Sequence, residues 1–447
     1  MRPNIIFYFS DQQRADTCGA YGQPLEVTPR LDALAAEGLL FEQAFSPQPV
    51  CGPCRAVFQT GQYATATGCY RNGIPLPLDA PTLARALEGA GYETAYIGKW
   101  HLASDDRPGR EVDHTVSAIP PAYRGGYSGF WRASDVLEFT SHGEGGHVFD
   151  EEMNRVDFRG YRTDGITDFA LEFLKQRDRR RPFFMTVSHI EPHHQNDRGH
   201  YEGPPGSRER FRDFELPGDL QALGGDAARE YPDYLGACHA VDFNLGRIVD
   251  WLKAAGEWEN TVVIFTSDHG SHFKTRNQDE HLTGGDDYKR SCHDASLRVP
   301  LVMAGGRIQG GQRVGDLVST GSLPRTILAL AGVKAGESMM GENLLEVAAG
   351  RLPERRNEAF AQISESRVGR CLRTPDYTYA VYAPGLDGFL PPDAPVYADD
   401  FLYDLKKDPH QLHNLVADPA YEDVKTDLRR RLLQWIEEAE GKRPEIR

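Results

Sequence analysis

Residues 50–55 read V-C-G-P-C-R, and two incompatible folds can be built around those six letters. As C-G-P-C, Cys51 and Cys54 form the exchanging pair of a dithiol oxidoreductase, which calls for a small domain with the pair at a strand end. As C-x-P-x-R, a single cysteine opens a helix inside a larger fold. The flanking text favours the second. Ser46-Pro47-Gln48-Pro49-Val50 is loop-like, with no aromatic residue before the cysteine. Pro53 suits the first helical turn and places Cys51 at the helix N-terminus, where free amides and the dipole favour an anion. Arg55 lies one helical turn on and reaches over the same spot.

The rest of the chain is large enough for that larger fold. It has 447 residues, 40% hydrophobic and 26% charged, an ordinary globular composition with room for a sizeable core. Fifty basic against 66 acidic residues give a net charge of −16, which argues against a nucleic-acid or anionic-membrane partner. A small anionic substrate needs only a local cluster of cations. The seven cysteines (18, 51, 54, 69, 238, 292, 371) are scattered and odd in number, as expected of reduced thiols rather than a secreted disulfide framework. The opening M-R-P-N-I-I-F-Y-F-S-D has too short an apolar run for a signal peptide. No stretch approaches the ~20 apolar residues of a membrane span, and the expected location is cytoplasmic.

Short apolar runs alternate with amphipathic segments, the pattern of parallel βαβ units. Strands are expected at 4–9, 94–97, 182–188, 261–266 and 299–303. Helices are expected after Thr28, with Pro29 at the first helical position, and over 80–90, 232–255 and 421–440. Residues 104–160 and 191–230, rich in Gly, Pro and charge, are expected to be long loops around a substrate pocket. The fold class is therefore α/β, a large and mostly parallel sheet sandwiched by helices over 1–345. A smaller α+β domain with an antiparallel sheet and terminal helix follows over 346–447. Asp11, Lys99, His101, His189, His193, Asp268 and His269 all follow expected strands, where open parallel sheets bind ligands.

The text around Cys51 now carries a specific likeness. Cys51–Gly61 (C-G-P-C-R-A-V-F-Q-T-G) resembles the C-x-P-x-R motif of type I, formylglycine-dependent sulfatases, and Gly91–Leu102 (G-Y-E-T-A-Y-I-G-K-W-H-L) resembles that family's second motif. The likeness extends to 3–12, to T-S-D-H-G at 266–270, to Lys289 with R-V-P-L at 298–301, and to Leu402–Leu415. It implies an alkaline phosphatase-like fold and hydrolysis of a sulfate monoester, a small anionic substrate. It also implies a maturation enzyme that oxidises Cys51 to formylglycine, whose hydrate supplies the nucleophilic hydroxyl. By the same resemblance Asp11, Gln12, modified Cys51, Asp268 and His269 hold a divalent metal, Ca²⁺ first, with Mg²⁺ or Mn²⁺ as alternatives. Most family members carry a second Asp where this chain has Gln12. Arg55, Lys99, His101, His193 and Lys289 take the catalytic positions.

Each position also has a plainer reading. Asp11 alone suits a helix cap; with Asp268-His269 after another strand, an oxygen-and-imidazole cation site fits better. Lys99 and His101 alternate on an extended segment and share one side, with Trp100 opposite. Ser188–Asp197 holds three histidines but neither H-E-x-x-H nor a cysteine partner for zinc. His189, His194, Arg290 and His293 are candidate substrate contacts or simply packed side chains. Tyr123, Tyr127 and Trp131 could offer aromatic faces to a sulfated sugar. Three other readings stay open: a phosphonate monoester or phosphodiester hydrolase with the same metal and nucleophile, towards which Gln12 leans; a binding protein whose Cys51 remains a thiol; and the dithiol oxidoreductase.

Overall fold

The structure, a computed structural model, describes residues 2–277 and 288–447. At its centre lies β1 (Asn4–Ser10), NIIFYFS, buried along its whole length. An unbroken apolar run is what a parallel strand covered on both faces requires. Ile5, Phe7 and Phe9 feed one core while Ile6 and Tyr8 feed the other, each large side chain contributing roughly 1.5–3 kcal/mol by burial.

The other principal strands, in chain order, are β2 (Leu39–Phe45), β3 (Glu93–Lys99), β4 (Phe130–Ser134), β5 (Phe183–Ser188), β6 (Thr261–Ser267) and β7 (Leu301–Ala304). Across the sheet they run β2-β7-β6-β1-β5-β3-β4. The five from β6 to β4 are parallel, and β7 is antiparallel to both neighbours. Short strands extend both edges to a total of twelve. One face is covered by α2 (Cys51–Thr60), α3 (Leu83–Gly89) and α6 (Leu323–Leu330). The other is covered by α1 (Pro29–Glu37), α4 (Arg162–Gln176) and α5 (Ala227–Ala254). The register levels Ser10 with Ser267, Phe9 with Ser188, Gly98 with Ser188, and Lys99 with Ser134, so five strand ends open onto one rim.

A second sheet of four antiparallel strands starts at Ala359, and Glu445–Ile446 adds a fifth in parallel. Helix α7 (Glu422–Glu440) packs on it through Leu428, Leu432 and Ile436. A shared cluster containing Phe45, Leu297, Leu317, Ala361, Cys371 and Phe401 joins the two sheets. Among the described residues no helix is long and apolar enough to cross a membrane.

Several local expectations are corrected. The strand at 299–303 is broken at Pro300, which has no N–H for the ladder, into Arg298–Val299 and Leu301–Ala304. Helix α5 begins at Ala227 rather than at Pro232, which lies inside it; the long buried face of α5 outweighs the lost amide bond. Thr28 does precede Pro29, but its hydroxyl donates to Asp32. The first α1 amides, Arg30 and Leu31, are met instead by Asp242 of α5. Residues 104–160 are not all loop, because β4 and the strands Gly145–Phe149 and Arg155–Arg159 lie inside them. Gly129 is one of the glycines that give this stretch its loop-like composition, yet a Cβ there would sit 2.2 Å from the Thr94 carbonyl oxygen, so strand packing itself demands glycine. Trp131 and Tyr127 are buried against Tyr96 and Trp100 and offer no face to a sugar.

Candidate active site

Helix α2 starts at Cys51, whose side chain is brought beneath the ends of β1 and β6. One ligand atom from each of Asp11, Cys51, Asp268 and His269 falls within 4.8 Å of all the others, and all four residues are buried. Cys51 Sγ is 3.4 Å from Asp11 Oδ1 and 3.3 Å from His269 Nε2. His269 Nδ1 faces the Gly270 carbonyl at 3.0 Å; that bond places the proton on Nδ1 and leaves the Nε2 lone pair turned to the cluster. Asp268 Oδ1 accepts the amides of Gln12 and His269, while Oδ2 has no hydrogen-bond partner. Two carboxylates, an imidazole lone pair and a spare carboxylate oxygen form a donor set that suits a divalent cation.

Cations surround this group. Asp11 Oδ2 accepts Lys99 Nζ at 2.7 Å and Arg55 Nη2 at 2.9 Å. Burial and the adjacent Cys51 push the Asp11 carboxyl upward, but Lys99, His193 and Arg55 outweigh them and hold it well below the usual carboxylate range. Burial and the neighbouring Asp11 charge drive Asp268 the other way. Burial opposes ionisation of the Cys51 thiol, yet Lys289, Lys99 and His269 carry it well below its ordinary value. Lys289 Nζ lies 3.2 Å from Sγ and 2.6 Å from His193 Nε2. His193 Nδ1 meets the His194 carbonyl, so its Nε2 accepts from the Lys289 ammonium.

Arg55 does not reach over the thiol. It is fully buried behind the carboxylates, donating to Asp11, to the Lys99 carbonyl and to Ser188 Oγ. Cys54 points elsewhere too: its thiol meets the Asp268 carbonyl at 3.1 Å, and burial pushes it well above its ordinary value. All seven cysteines are free and buried, so the C-G-P-C spacing forms no disulfide here.

The chain as a whole is similar to known proteins. The family model described as Sulfatase covers residues 3–333. The chain belongs to the sulfatase family. It is 31% identical over 470 residues to the uncharacterised sulfatase YidJ of Escherichia coli K12, covering 98% of this chain and 87% of that protein. It is 26% identical to the N-acetylglucosamine-6-O-sulfatase of Bacteroides thetaiotaomicron, over 98% and 86% respectively. The solved YidJ structure of Bacteroides fragilis superposes with a TM-score of 0.79 at 26% identity, covering 98% of this chain and 96% of that one. The sulfatase is thus a sulfuric ester hydrolase of alkaline phosphatase-like fold.

The remaining candidate residues of this sulfatase fall in different places. His101 lies close enough to Cys51 to help lower its thiol, after Lys289, Lys99 and His269, but it sits on a left-handed backbone at φ 58° rather than on the extended segment expected. Gln12, also left-handed at φ 71°, adjoins the cluster. Its Oε1 accepts the His194 amide at 3.0 Å and the Tyr201 hydroxyl at 3.3 Å. The His194 ring stacks on Tyr288 at 4.3 Å. Arg290 Nε donates to Glu365. His189 is not part of the cluster: it packs on Tyr8 in the opposite layer, and burial lowers its pKa to about 3. His293 lies between Ser291, Tyr403 and Phe401 at the second sheet, and burial pushes it well down.

Sequence motifs do not reveal the residues that frame Cys51. Asn72 Oδ1 accepts the Gly52 amide at 2.8 Å, and a Cβ on Gly52 would crowd it at 2.9 Å. Asn72's own amide donates to Glu365, a residue of the second sheet's first hairpin, and Gln48 donates to Ser364 beside it. Gln362 donates its amide to the Pro47 carbonyl. The loop before Cys51 is therefore clamped by residues some three hundred positions later. The Asn72-Gly73 turn dipeptide was the one available signal.

Proposed function

We propose that this sulfatase hydrolyses the sulfate monoester of a sulfated carbohydrate, using formylglycine made from Cys51 and one divalent cation, Ca²⁺ first. The observation that carries the reading is the buried group of Asp11, Cys51, Asp268 and His269 with Lys99 and Lys289 set against it. The sugar-sulfate name of the Bacteroides thetaiotaomicron relative supports the substrate class. Asp11, Asp268 and His269 would hold the cation, with Gln12 adjoining. The cation and formylglycine together supply an activated hydroxyl and a Lewis-acidic contact for the sulfate group.

The chain's own residues do the rest. Lys99 and Lys289 offset charge on the sulfate oxygens, where removing one such preorganised donor typically costs ~10²–10³-fold in rate. Lys289 Nζ, hydrogen-bonded to His193 Nε2, holds the proton destined for the leaving alcohol, an acid contribution of ~10²–10⁴-fold. His101 takes a proton from residue 51. Arg55 keeps Asp11 anionic from behind.

The test compares turnover of an aryl sulfate, a sulfated N-acetylhexosamine and a phosphonate monoester by protein co-produced with a maturation system. A mass spectrum of the Cys51 peptide is taken from the same sample. Sulfate-ester turnover together with CH=O in place of CH₂–SH is the expected result. An intact thiol in a fully active sample, or turnover of the phosphonate alone, overturns the reading.

A further inference from the structure

Three strands of the large sheet end in the same dipeptide: Ser10-Asp11 on β1, Ser134-Asp135 on β4 and Ser267-Asp268 on β6. Two of those carboxylates face Cys51. The third does not, yet it is fully buried and has no ion pair among the described residues. Its hydrogen-bond partners all come from one turn. Oδ1 accepts the amides of Leu102 at 2.9 Å and Ala103 at 3.0 Å. Oδ2 accepts the amide of Ser104 at 3.0 Å and its hydroxyl at 2.5 Å. The Asp135 carbonyl accepts the His101 amide at 2.7 Å. Four successive N–H groups thus converge on one residue, the concave backbone arrangement that binds anions.

The turn so held begins at His101, whose φ of 58° is one that side-chain-bearing residues adopt only when their surroundings impose it. The Nδ1 atom of the His101 ring makes no hydrogen bond among the described residues. In many catalytic histidines a carboxylate grips the second ring nitrogen and fixes the imidazole. Here the carboxylate grips the backbone instead, and the left-handed turn aims the ring at residue 51. We infer that Asp135 is the positioning residue for His101, holding its imidazole on the nucleophile through the 101–104 turn. The inference rests on the proposed role of His101 beside residue 51.

The experiment uses matured full-length protein carrying His101→Ala, Asp135→Ala, Asp135→Asn or both alanines, assayed on an aryl sulfate. Asp135→Ala is expected to lower kcat by ~10²-fold or more, the range of a misplaced acid–base group, with KM nearly unchanged. The double alanine variant is expected to be no slower than His101→Ala, because residues acting as one unit are not additive. Asp135→Asn keeps one acceptor oxygen for the turn and should recover part of kcat. Multiplying losses in the double variant, or wild-type kcat in Asp135→Ala, overturns the inference. If Asp135→Ala does not fold, the same comparison is made with Asp135→Asn alone and combined with His101→Ala. Should the wild type fail to turn over sulfate esters, the proposed function falls while the positioning claim is still decided by the variant's crystal structure. An unchanged His101 φ and ring direction would then refute it.

Discussion

Arg55→Met keeps the length of the side chain and removes its charge, which makes it a direct measure of what binds the two buried carboxylates. The Lys99 carbonyl stays satisfied in the variant, because Tyr96 and Ser188 still donate to it at 2.6 and 2.8 Å. The loss therefore concentrates on Asp11, which keeps Lys99, and on Asp268 Oδ2, which loses the Arg55 guanidinium at 3.4 Å. Breaking one side of a buried ion pair costs about 3–5 kcal/mol, a large share of the ~5–15 kcal/mol that holds a folded chain. In EDTA at pH 7 the urea midpoint should fall by roughly 1 M. Added Ca²⁺ should restore much of it. A ligand at a hundred times its Kd adds about 2.7 kcal/mol, and loss of the adjacent guanidinium tightens cation binding. The Ca²⁺-induced increment should consequently be larger in Arg55→Met than in the wild type. Equal increments in the two proteins, or an unchanged midpoint in EDTA, would refute the view that Arg55 and a cation compensate the same charges.

Two further predictions follow from burial. His189 is held neutral, its pKa lowered to about 3 by burial and Arg162 against ~6.5 when unfolded. The unfolded chain binds the extra proton between those values, so stability is complete above ~6.5 and is lost as pH falls towards 3, by as much as about 4–5 kcal/mol. His189→Phe should flatten that acid limb in urea midpoints measured against pH; an identical limb would show that other groups govern it. Cys54→Ala should retain turnover within about threefold and lose on the order of 1 kcal/mol of stability, whereas Cys51→Ala should abolish activity. Loss of turnover in Cys54→Ala would revive the dithiol reading.

Much of the fold could be read from the chain because its central strands are buried on both faces and advertise this as unbroken apolar runs, as in β1 and β6. Strand β4 hid because Arg132 interrupts its apolar letters and Gly129 mimics a loop, although close packing against Thr94 is what requires that glycine. Two of the three aromatic residues read as sugar platforms, Tyr127 and Trp131, are core, since an aromatic cluster under a sheet and one on a rim have the same letters. Asp11, Cys51, Asp268 and His269 could be found in motifs because each sits immediately at a strand or helix end. The left-handed turn at His101 could not, since φ leaves no trace in a histidine's name. Nor could Asn72 or Glu365, whose importance lies in contacts between segments far apart in the chain.

The clamp on the nucleophile loop also sets a clock. Gln48 lies 316 residues before its partner Ser364, so at synthesis rates of ~5–20 residues per second the loop waits roughly 15–60 s before its last anchor exists. Once the hairpin closes, Cys51 is 1% exposed and beyond the reach of another protein. Any enzyme that alters Cys51 therefore works against the ribosome's pace, and a delayed or slowed C-terminal segment would lengthen its opportunity.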